Sequence, residues 1–92
     1  MTRSELIAKI ALKNPNLKLK DVEKIVRIIL ETMVDSLALG KRIEFRGFGA
    51  FSVRTRTPRT AKNPKTLKAV QLGERRVVHF KTGRDLHRML ND

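Results

Sequence analysis

The stretch RIEFRGFGAFSVR, residues 42–54, predicts two short strands joined by a tight turn. Apolar residues alternate with polar ones at Ile43 and Phe45, and again at Phe51 and Val53, which is typical of strands with one buried face. The glycine-rich segment between the two runs favours the turn. The sequence therefore predicts an antiparallel sheet, with the apolar residues of both strands facing a core.

Beyond residue 55 the apolar alternation stops while the basic residues continue. Between Phe45 and Gly73 there are seven Arg or Lys residues and no acid: Arg46, Arg54, Arg56, Arg59, Lys62, Lys65 and Lys68. Because Asn63-Pro64 favours a turn, residues 54–73 are predicted to form a two-stranded ribbon, an arm that leaves the core. It should re-enter the core at Val77, Val78 and Phe80. An arm of one charge sign indicates a polyanionic partner.

Helical patterns flank this central region. Thr2 and Glu5 form a capping box before a short first helix, which the Asn14-Pro15-Asn16 turn should end. A longer apolar rhythm then runs from Leu19 to Gly40, a residue that suits the position after a helix. Thr82 and Asp85 resemble a second capping box, ahead of a final helix of about two turns at Leu86, Met89 and Leu90. The predicted fold class is α+β.

The apolar surface of the second helix is wider than one short helix could cover. Ile28 and Leu39 lie outside its main stripe. With the arm in solvent, the rest of the chain makes a marginal core, whereas a second subunit could cover the exposed face. The alternative is a central helix buried in a larger monomer. We predict an intertwined dimer with this core: Ile25, Ile29, Met33, Phe45, Phe48, Phe51 and Phe80.

Length and composition limit the classes of function. The 92 residues carry 21 Lys plus Arg against 9 Asp plus Glu, a formal net charge of +12, which suits one basic domain over residues 1–92. The absence of cysteine excludes a disulfide scaffold or a cysteine zinc site and favours a reducing cytoplasm. No apolar run is long enough for a signal peptide or a membrane span. We expect no membrane partner.

Catalytic and metal-binding motifs are missing from the sequence. Its two histidines, His79 and His87, are eight positions apart on different predicted elements, where a lone histidine is usually a surface or packing residue. There is no clustered carboxylate pair and no glycine-rich phosphate loop. The sequence therefore predicts neither an enzyme nor a metal site, cofactor or small-molecule substrate.

Three motifs carry a family resemblance over nearly the whole chain. They are IEFRGFGAF at residues 43–51, PRT with NPKT at residues 58–66, and HFKTGRDL at residues 79–86. They resemble the bacterial HU and integration host factor family of DNA-bending proteins. The opening MTRSELI at residues 1–7, with Glu44 and Arg46, is more similar to the beta-subunit branch of integration host factor than to HU.

The resemblance implies that two ribbon arms embrace duplex DNA in its minor groove. Pro64 would be the intercalating wedge at the arm tip, a device for which this family is a standard example. The residues that it implies in DNA binding are Arg3, Ser4, Arg42, Glu44, Arg46, Arg54, Arg56, Arg59, Lys62, Asn63, Pro64, Lys65, Lys68, Lys81, Gly83 and Arg84. Taken alone, Asn63-Pro64 would be an ordinary hairpin turn.

Two positions next to the arm tip depart from the family pattern. Ala61 and Leu67 stand where the family usually has glycine, and a side chain there is costly if the backbone needs a positive φ. Leu67 could help to unstack bases or could pack on the arm. The bend angle depends on this tip and is not predictable from the sequence.

Glu44 and Arg46 share the outward side of their strand, where a solvated ion pair is the simple explanation. In the integration host factor beta subunit, the resemblance implies that the glutamate positions the arginine in the minor groove and so contributes to site recognition. Arg75 and Arg76 could contact the DNA flanks or could form a solvated face. The first residues of the first and last helices could bind phosphates as well as cap the helices.

The resemblance implies a nucleoid-associated protein of the bacterial cytoplasm that acts in recombination and transcription. Its second subunit would be an alpha-type integration host factor chain or a second copy of itself, and neither the subunit nor the target sites can be deduced. The alternatives are a nonspecific HU-like packing homodimer and an RNA-binding module. All four aromatic residues are Phe in apolar patterns, so base-stacking platforms look absent, and this favours duplex DNA.

Overall fold

The computed structural model describes residues 1–57, 59–62 and 69–92. Within these ranges the chain forms three α-helices and five β-strands: α1 (Arg3–Lys13), α2 (Leu19–Ala38), β1 (Ile43–Phe45), β2 (Gly49–Arg56), β3 (Arg59–Lys62), β4 (Ala69–Leu72), β5 (Arg75–Thr82) and α3 (Arg84–Asn91). The predicted α+β class is confirmed. The chain divides into two compact units, Met1–Asp35 and Ser36–Asp92. That all 92 residues act as one domain stays a prediction.

Helix α1 is closed at both ends by side chains that the sequence singled out. Thr2 is the N-cap, and its hydroxyl accepts a hydrogen bond from the Glu5 N–H at 3.2 Å. At the other end, the Asn14 amide donates to the Ile10 carbonyl at 2.9 Å. One face of this helix is partly buried, and it carries the apolar residues Leu6, Ile7, Ile10 and Ala11.

Most of the apolar face of α2 is exposed to solvent. Val22 and Val26, one turn apart, are the buried hydrophobic residues among those described, with 1% and 4% of their surface exposed. The exposed apolar residues of this helix within the first unit are Leu19, Ile25, Ile28, Ile29, Leu30 and Val34. A single chain therefore leaves most of the apolar residues of α2 uncovered.

The predicted glycine ends α2. Gly40 has a left-handed φ of +78°, and its N–H donates to the Leu37 carbonyl at 2.9 Å. The Lys41 N–H donates to the Ser36 carbonyl at 3.0 Å. This pair of bonds is a Schellman motif, in which a residue other than glycine would carry a strained backbone.

A guanidinium group also caps the same helix end. Arg76 of β5 donates from Nη1 to the Ala38 carbonyl at 2.9 Å and from Nη2 to the Leu37 carbonyl at 3.2 Å. Carbonyls in the last helical turn lack intrahelical partners and carry partial negative charge, so a cation stabilises them. Arg76 therefore ties β5 to the end of α2.

Strands β1, β2 and β5 form an antiparallel sheet in that order. Ile43 pairs with Phe51, and Phe51 pairs with Phe80. The ladder between β2 and β5 continues as far as Arg56, which pairs with Arg75. Since side chains alternate across a strand, this register separates an apolar face from a polar one. The apolar face carries Ile43, Phe45, Phe51, Val53, Val78 and Phe80.

Four phenylalanine rings pack together at this apolar face. The ring centroids of Phe51 and Phe80 lie 4.7 Å apart, and those of Phe48 and Phe80 lie 5.6 Å apart. Phe45 contacts Phe48 and Phe51 edge to face, with centroids 6.5 Å apart in both pairs. Even so, Phe45 and Phe48 keep 44% and 49% of their surface exposed. The aromatic cluster is thus only half covered by its own chain.

The two arm strands pair as the sequence predicts, but β2 continues to Arg56 in the three-stranded sheet, past the predicted start of the arm at residue 54. β3 and β4 form a separate two-stranded antiparallel sheet, in which Arg59 pairs with Leu72 and Lys62 pairs with Ala69. The predicted return of the ribbon before Gly73 is confirmed. The predicted tip at Asn63 and Pro64 lies outside the described residues.

The described residues contain neither a membrane-spanning helix nor a cluster of metal-binding side chains. No helix there is both long enough and apolar enough to cross a membrane. Nor do three or more His, Asp or Glu side chains come together as a metal ion would require, over the ranges given above.

We expect the apolar surfaces of α2 and of the phenylalanine cluster to be covered by a second subunit. Ile29→Asp would place a charge on that surface, so the variant should lose both assembly and cooperative unfolding. Sedimentation and thermal unfolding would measure this, with Lys24→Gln, an exposed position of α2, as the matched control. A stable folded monomer of the unmutated chain would contradict the expectation.

Candidate nucleic-acid interface

The face of the sheet opposite the phenylalanine cluster is rich in basic side chains. We call it the outer face; it carries Glu44, Ala50, Ser52, Arg54, Arg56, Arg75, Val77, His79 and Lys81. Arg54 and Arg56 lie on one strand and Lys81 on its neighbour, and all three are exposed. Strand alternation places them together because the same register turns Phe51 and Val53 to the other side.

A hollow at the edge of the outer face, which we call the first hollow, is lined by residues from distant parts of the chain. It has a volume of about 290 Å³ and is lined by Arg42, Glu44, Phe45, Arg46, Gly47, Gly49, Ala50, Lys81, Thr82, Gly83 and Arg84. Six of these are residues that the family resemblance implies in DNA binding. The sequence predicts their identity, whereas the sheet register brings the two groups, 42–46 and 81–84, to one place.

The ion pair in this hollow differs from the expected one. Arg42 Nη2 lies 3.6 Å from Glu44 Oε1, and both side chains are well exposed. Glu44 was expected to pair with Arg46. Arg42 and Glu44 are two positions apart on the same side of the chain, whereas Arg46 lies beyond β1 in the turn, where the strand alternation ends.

The start of α3 corrects one prediction. Thr82 and Asp85 do not form a capping box: Gly83 is the N-cap, and no side chain caps the helix. Thr82 is instead the last residue of β5, where it pairs with Gly49 in extended conformation. The Asp85 and Leu86 N–H groups both donate to the Gly47 carbonyl at 3.1 Å.

This arrangement locks α3 against the turn between β1 and β2. The Gly83 N–H donates to the Phe48 carbonyl at 2.8 Å. A Cβ atom on Gly83 would lie 2.8 Å from the carbonyl carbon of Gly47, closer than real contacts allow. The N–H groups of Asp85 and Leu86 are already bonded, so the N-terminus of α3 is less available to a phosphate than the sequence suggests. The Arg84 side chain remains exposed beside the hollow.

The second hollow continues along the outer face. It measures about 240 Å³ and is lined by Arg42, Ala50, Ser52, Arg54, His79 and Lys81. Sequence reasoning had left His79 and Ser52 out of the site, yet they face each other across β2 and β5. The signal was available in the alternation of β5: once Val78 and Phe80 face inward, His79 must face outward. The same alternation places Val77 on the outer face, so the prediction that it re-enters the core is wrong.

The remaining predicted residues belong to other segments of the chain. Arg3 and Ser4 open α1 in the first unit, where the hydroxyls of Thr2 and Ser4 are 3.1 Å apart. Arg59 and Lys62 lie in β3, where only the backbone pairing is described. Asn63, Pro64, Lys65 and Lys68 lie outside the described residues.

The sequence of the chain is similar to those of known bacterial DNA-binding proteins. Residues 1–91 match the model of a family described as bacterial DNA-binding protein. The chain is 53% identical to integration host factor subunit beta from Marinobacter nauticus, over 100% of this chain and 94% of that protein. It is 50% identical to the subunit of the same name from Colwellia psychrerythraea, over 99% and 96%.

Solved structures agree with the sequence comparison. The fold matches that of Anabaena HU in a cocrystal structure with DNA, with a TM-score of 0.85 at 27% identity, over 98% of this chain and 97% of that one. It also matches an HU mutant from Thermotoga maritima, with a TM-score of 0.69 at 33% identity, over 98% and 99%. The chain belongs to the bacterial DNA-binding protein family of HU and integration host factor.

Proposed function

We propose that this protein binds duplex DNA across the outer face of its sheet, holds it with its basic arm, and bends it. The observation that carries the proposal is the gathering of cations around the first two hollows. Arg42, Arg46, Arg54, Lys81 and Arg84 line them, and Glu44 is the only acidic residue in either lining. Such a surface attracts the phosphate backbone at long range and neutralises it on contact.

The arm would extend this grip into the minor groove. β3 and β4 form a two-stranded ribbon thin enough to follow a groove, and the sequence of the arm has no acid. Arg59, Lys62, Lys65 and Lys68 would contact phosphates or the groove. The N-terminal residues Arg3 and Ser4 would add phosphate contacts at the start of α1.

Bending would depend on Pro64. A rigid apolar ring at the arm tip can enter between base pairs, and the few kcal/mol lost in unstacking are offset when the bent duplex reaches the body of the protein. Asn63 would form the turn that presents the ring. Leu67 stands nearby in sequence, and a second apolar side chain there could share the wedge role.

The functional unit would be a dimer with two arms. Ile25, Ile29, Phe45 and Phe48 each have more than 40% of their surface exposed, which supports a second subunit. The relatives named integration host factor subunit beta favour an alpha-type chain as that subunit over a second copy. We further propose a place in the nucleoid of the bacterial cytoplasm, with roles in recombination and transcription.

Site preference would come from the first hollow. Glu44 lies 3.6 Å from Arg42, and Arg46 lines the same hollow. A carboxylate that restricts where the Arg42 guanidinium group can point would make minor-groove contacts sensitive to groove width and to A·T versus G·C pairs. Without this restriction, the protein would act as a nonspecific HU-like packer.

Two other classes receive less support. The family consists of architectural DNA-binding proteins and not of enzymes, which agrees with the lack of catalytic motifs in the sequence. An RNA-binding module would need aromatic stacking platforms. The four phenylalanine rings instead pack against one another at the apolar face of the sheet, although Phe45 also borders the first hollow.

The first prediction is that duplex binding depends strongly on salt. The logarithm of the binding constant should fall linearly with the logarithm of salt concentration, by about 0.9 per neutralised phosphate. Arg54→Gln should make the slope shallower by about that amount. Lys24→Gln, on α2 and outside the proposed interface, should leave it unchanged. A slope near zero for the unmutated protein would overturn the proposed function.

The second prediction concerns the wedge. Pro64→Ala keeps the charge of the arm but removes the rigid ring, so the bend should decrease while nonspecific affinity changes little. Energy transfer between labelled DNA ends would measure the bend. Leu67→Ala is the matched control, and a bend lost in that variant but kept in Pro64→Ala would assign the wedge to Leu67.

The third prediction concerns site preference. Glu44→Ala should release Arg42 and reduce discrimination between a preferred site and random duplex, while general affinity stays the same or rises because a negative charge has gone. The measurement is competition between the two duplexes at fixed salt. As a control, Glu31→Ala removes an acid that pairs with Arg27 on α2. If the Glu44 variant and the unmutated protein discriminate equally between the two duplexes, Glu44 and Arg42 are only a surface ion pair.

A further inference from the structure

Two arginines face each other where the arm leaves the sheet. Arg56 and Arg75 form the last pair of the ladder between β2 and β5, and both belong to the outer face. Like charges directly opposite each other in an antiparallel sheet repel and destabilise the pairing. The isolated chain therefore carries an unfavourable pair at the base of the arm.

One nitrogen of the Arg75 guanidinium group also lacks a hydrogen-bond partner among the described residues. This atom, Nη1, is shielded from solvent. Glu74 is the adjacent acid, yet it forms no ion pair with Arg75 or Arg56; the ion pairs found among described residues join Arg27 to Glu31 and Arg42 to Glu44. A shielded donor without an acceptor is costly, so the Arg75 side chain is not fully satisfied within the described part of the chain.

A hollow beside the arginine pair has the size and donors for an anion. It measures about 300 Å³ and is lined by Thr55, Arg56, Thr57 and Arg75. Guanidinium groups donate paired hydrogen bonds to phosphate oxygens. An oxyanion between the two arginines would turn their repulsion into attraction for a shared ligand.

The neighbouring arginine has a different role. Arg76 points to the opposite face of β5, where it donates to the Ala38 and Leu37 carbonyls at the end of α2. Its guanidinium group is therefore already used within the protein. Although Arg75 and Arg76 are adjacent and chemically identical, only Arg75 is placed to bind a ligand.

We propose that Arg56 and Arg75 form a clamp at the base of the arm that binds one phosphate of the DNA backbone. The clamp rests on the proposed function, because its ligand is a phosphate of the bound duplex. It would hold the duplex where the arm meets the body, and it adds Arg75 to the residues that contact DNA.

The test compares Arg56→Gln, Arg75→Gln and the double variant in duplex binding at several salt concentrations. Each single variant should bind specific and random duplex several-fold more weakly. If both arginines share one phosphate, the double variant should lose about 0.9 from the salt slope, the value for one phosphate. A loss of about twice that value would mean two independent contacts and would overturn the clamp.

Arg76→Gln is the matched control. It should lower the thermal midpoint of unfolding, because the α2 carbonyls lose their donors, while the salt slope stays unchanged. Arg75→Gln should keep or raise the midpoint, since it removes repulsion with Arg56. If Arg75→Gln binds DNA like the unmutated protein, the clamp is wrong although DNA binding stands. A flat salt response of the unmutated protein would instead refute the proposed function.

Discussion

The antiparallel pairing of β2 with β5 is the constraint on which the rest of the structure depends. Its register places Phe51 opposite Phe80 and, one residue further, Ser52 opposite His79. A shift of one residue would move every apolar side chain of β2 to the polar face. The same ladder therefore decides both where the core forms and which basic side chains share a surface. The phenylalanine cluster and the outer face lie on the two faces of one sheet, and the same register determines both.

Backbone contacts at the end of this ladder position the first hollow. The turn after β1 supplies the Gly47 carbonyl that receives two N–H groups of α3. Gly83 comes so close to this turn that a side chain there would not fit. Residues 42–46 and 81–84 are thereby held by main-chain geometry, and their charged side chains project from a rigid frame. Loops on a rigid scaffold are where binding residues are commonly found.

Charge and burial are divided unusually in this chain. Among the described residues, the buried hydrophobic side chains are Val22 and Val26, while Ile29, Phe45 and Phe48 remain about half exposed. A small domain with so little of its own core is marginal unless another chain covers the apolar surface. The net charge of +12 opposes close association of the basic surfaces. Within the second unit, the apolar phenylalanine cluster and the basic outer face lie on opposite faces of one sheet.

The local structure could be predicted from the sequence because each signal acts over a few residues. The Thr2 cap, the Gly40 helix end and the alternation through Phe51 are all short-range, and the structure confirms them. The resemblance to the HU and integration host factor family could also be recognised from the sequence, since its motifs are contiguous. The prediction of a capping box at Thr82 was wrong because a local pattern could not show that this residue pairs with another strand.

Long-range pairing decided the rest. That Glu44 lies beside Arg42, that Arg75 opposes Arg56, and that Arg76 caps α2 all depend on the register or on contacts between distant segments. The sequence by itself determined the elements, the charge of the arm and the family. Only the tertiary structure decided which cations stand together and which of two adjacent arginines caps α2, because neighbours across a sheet are not neighbours in sequence.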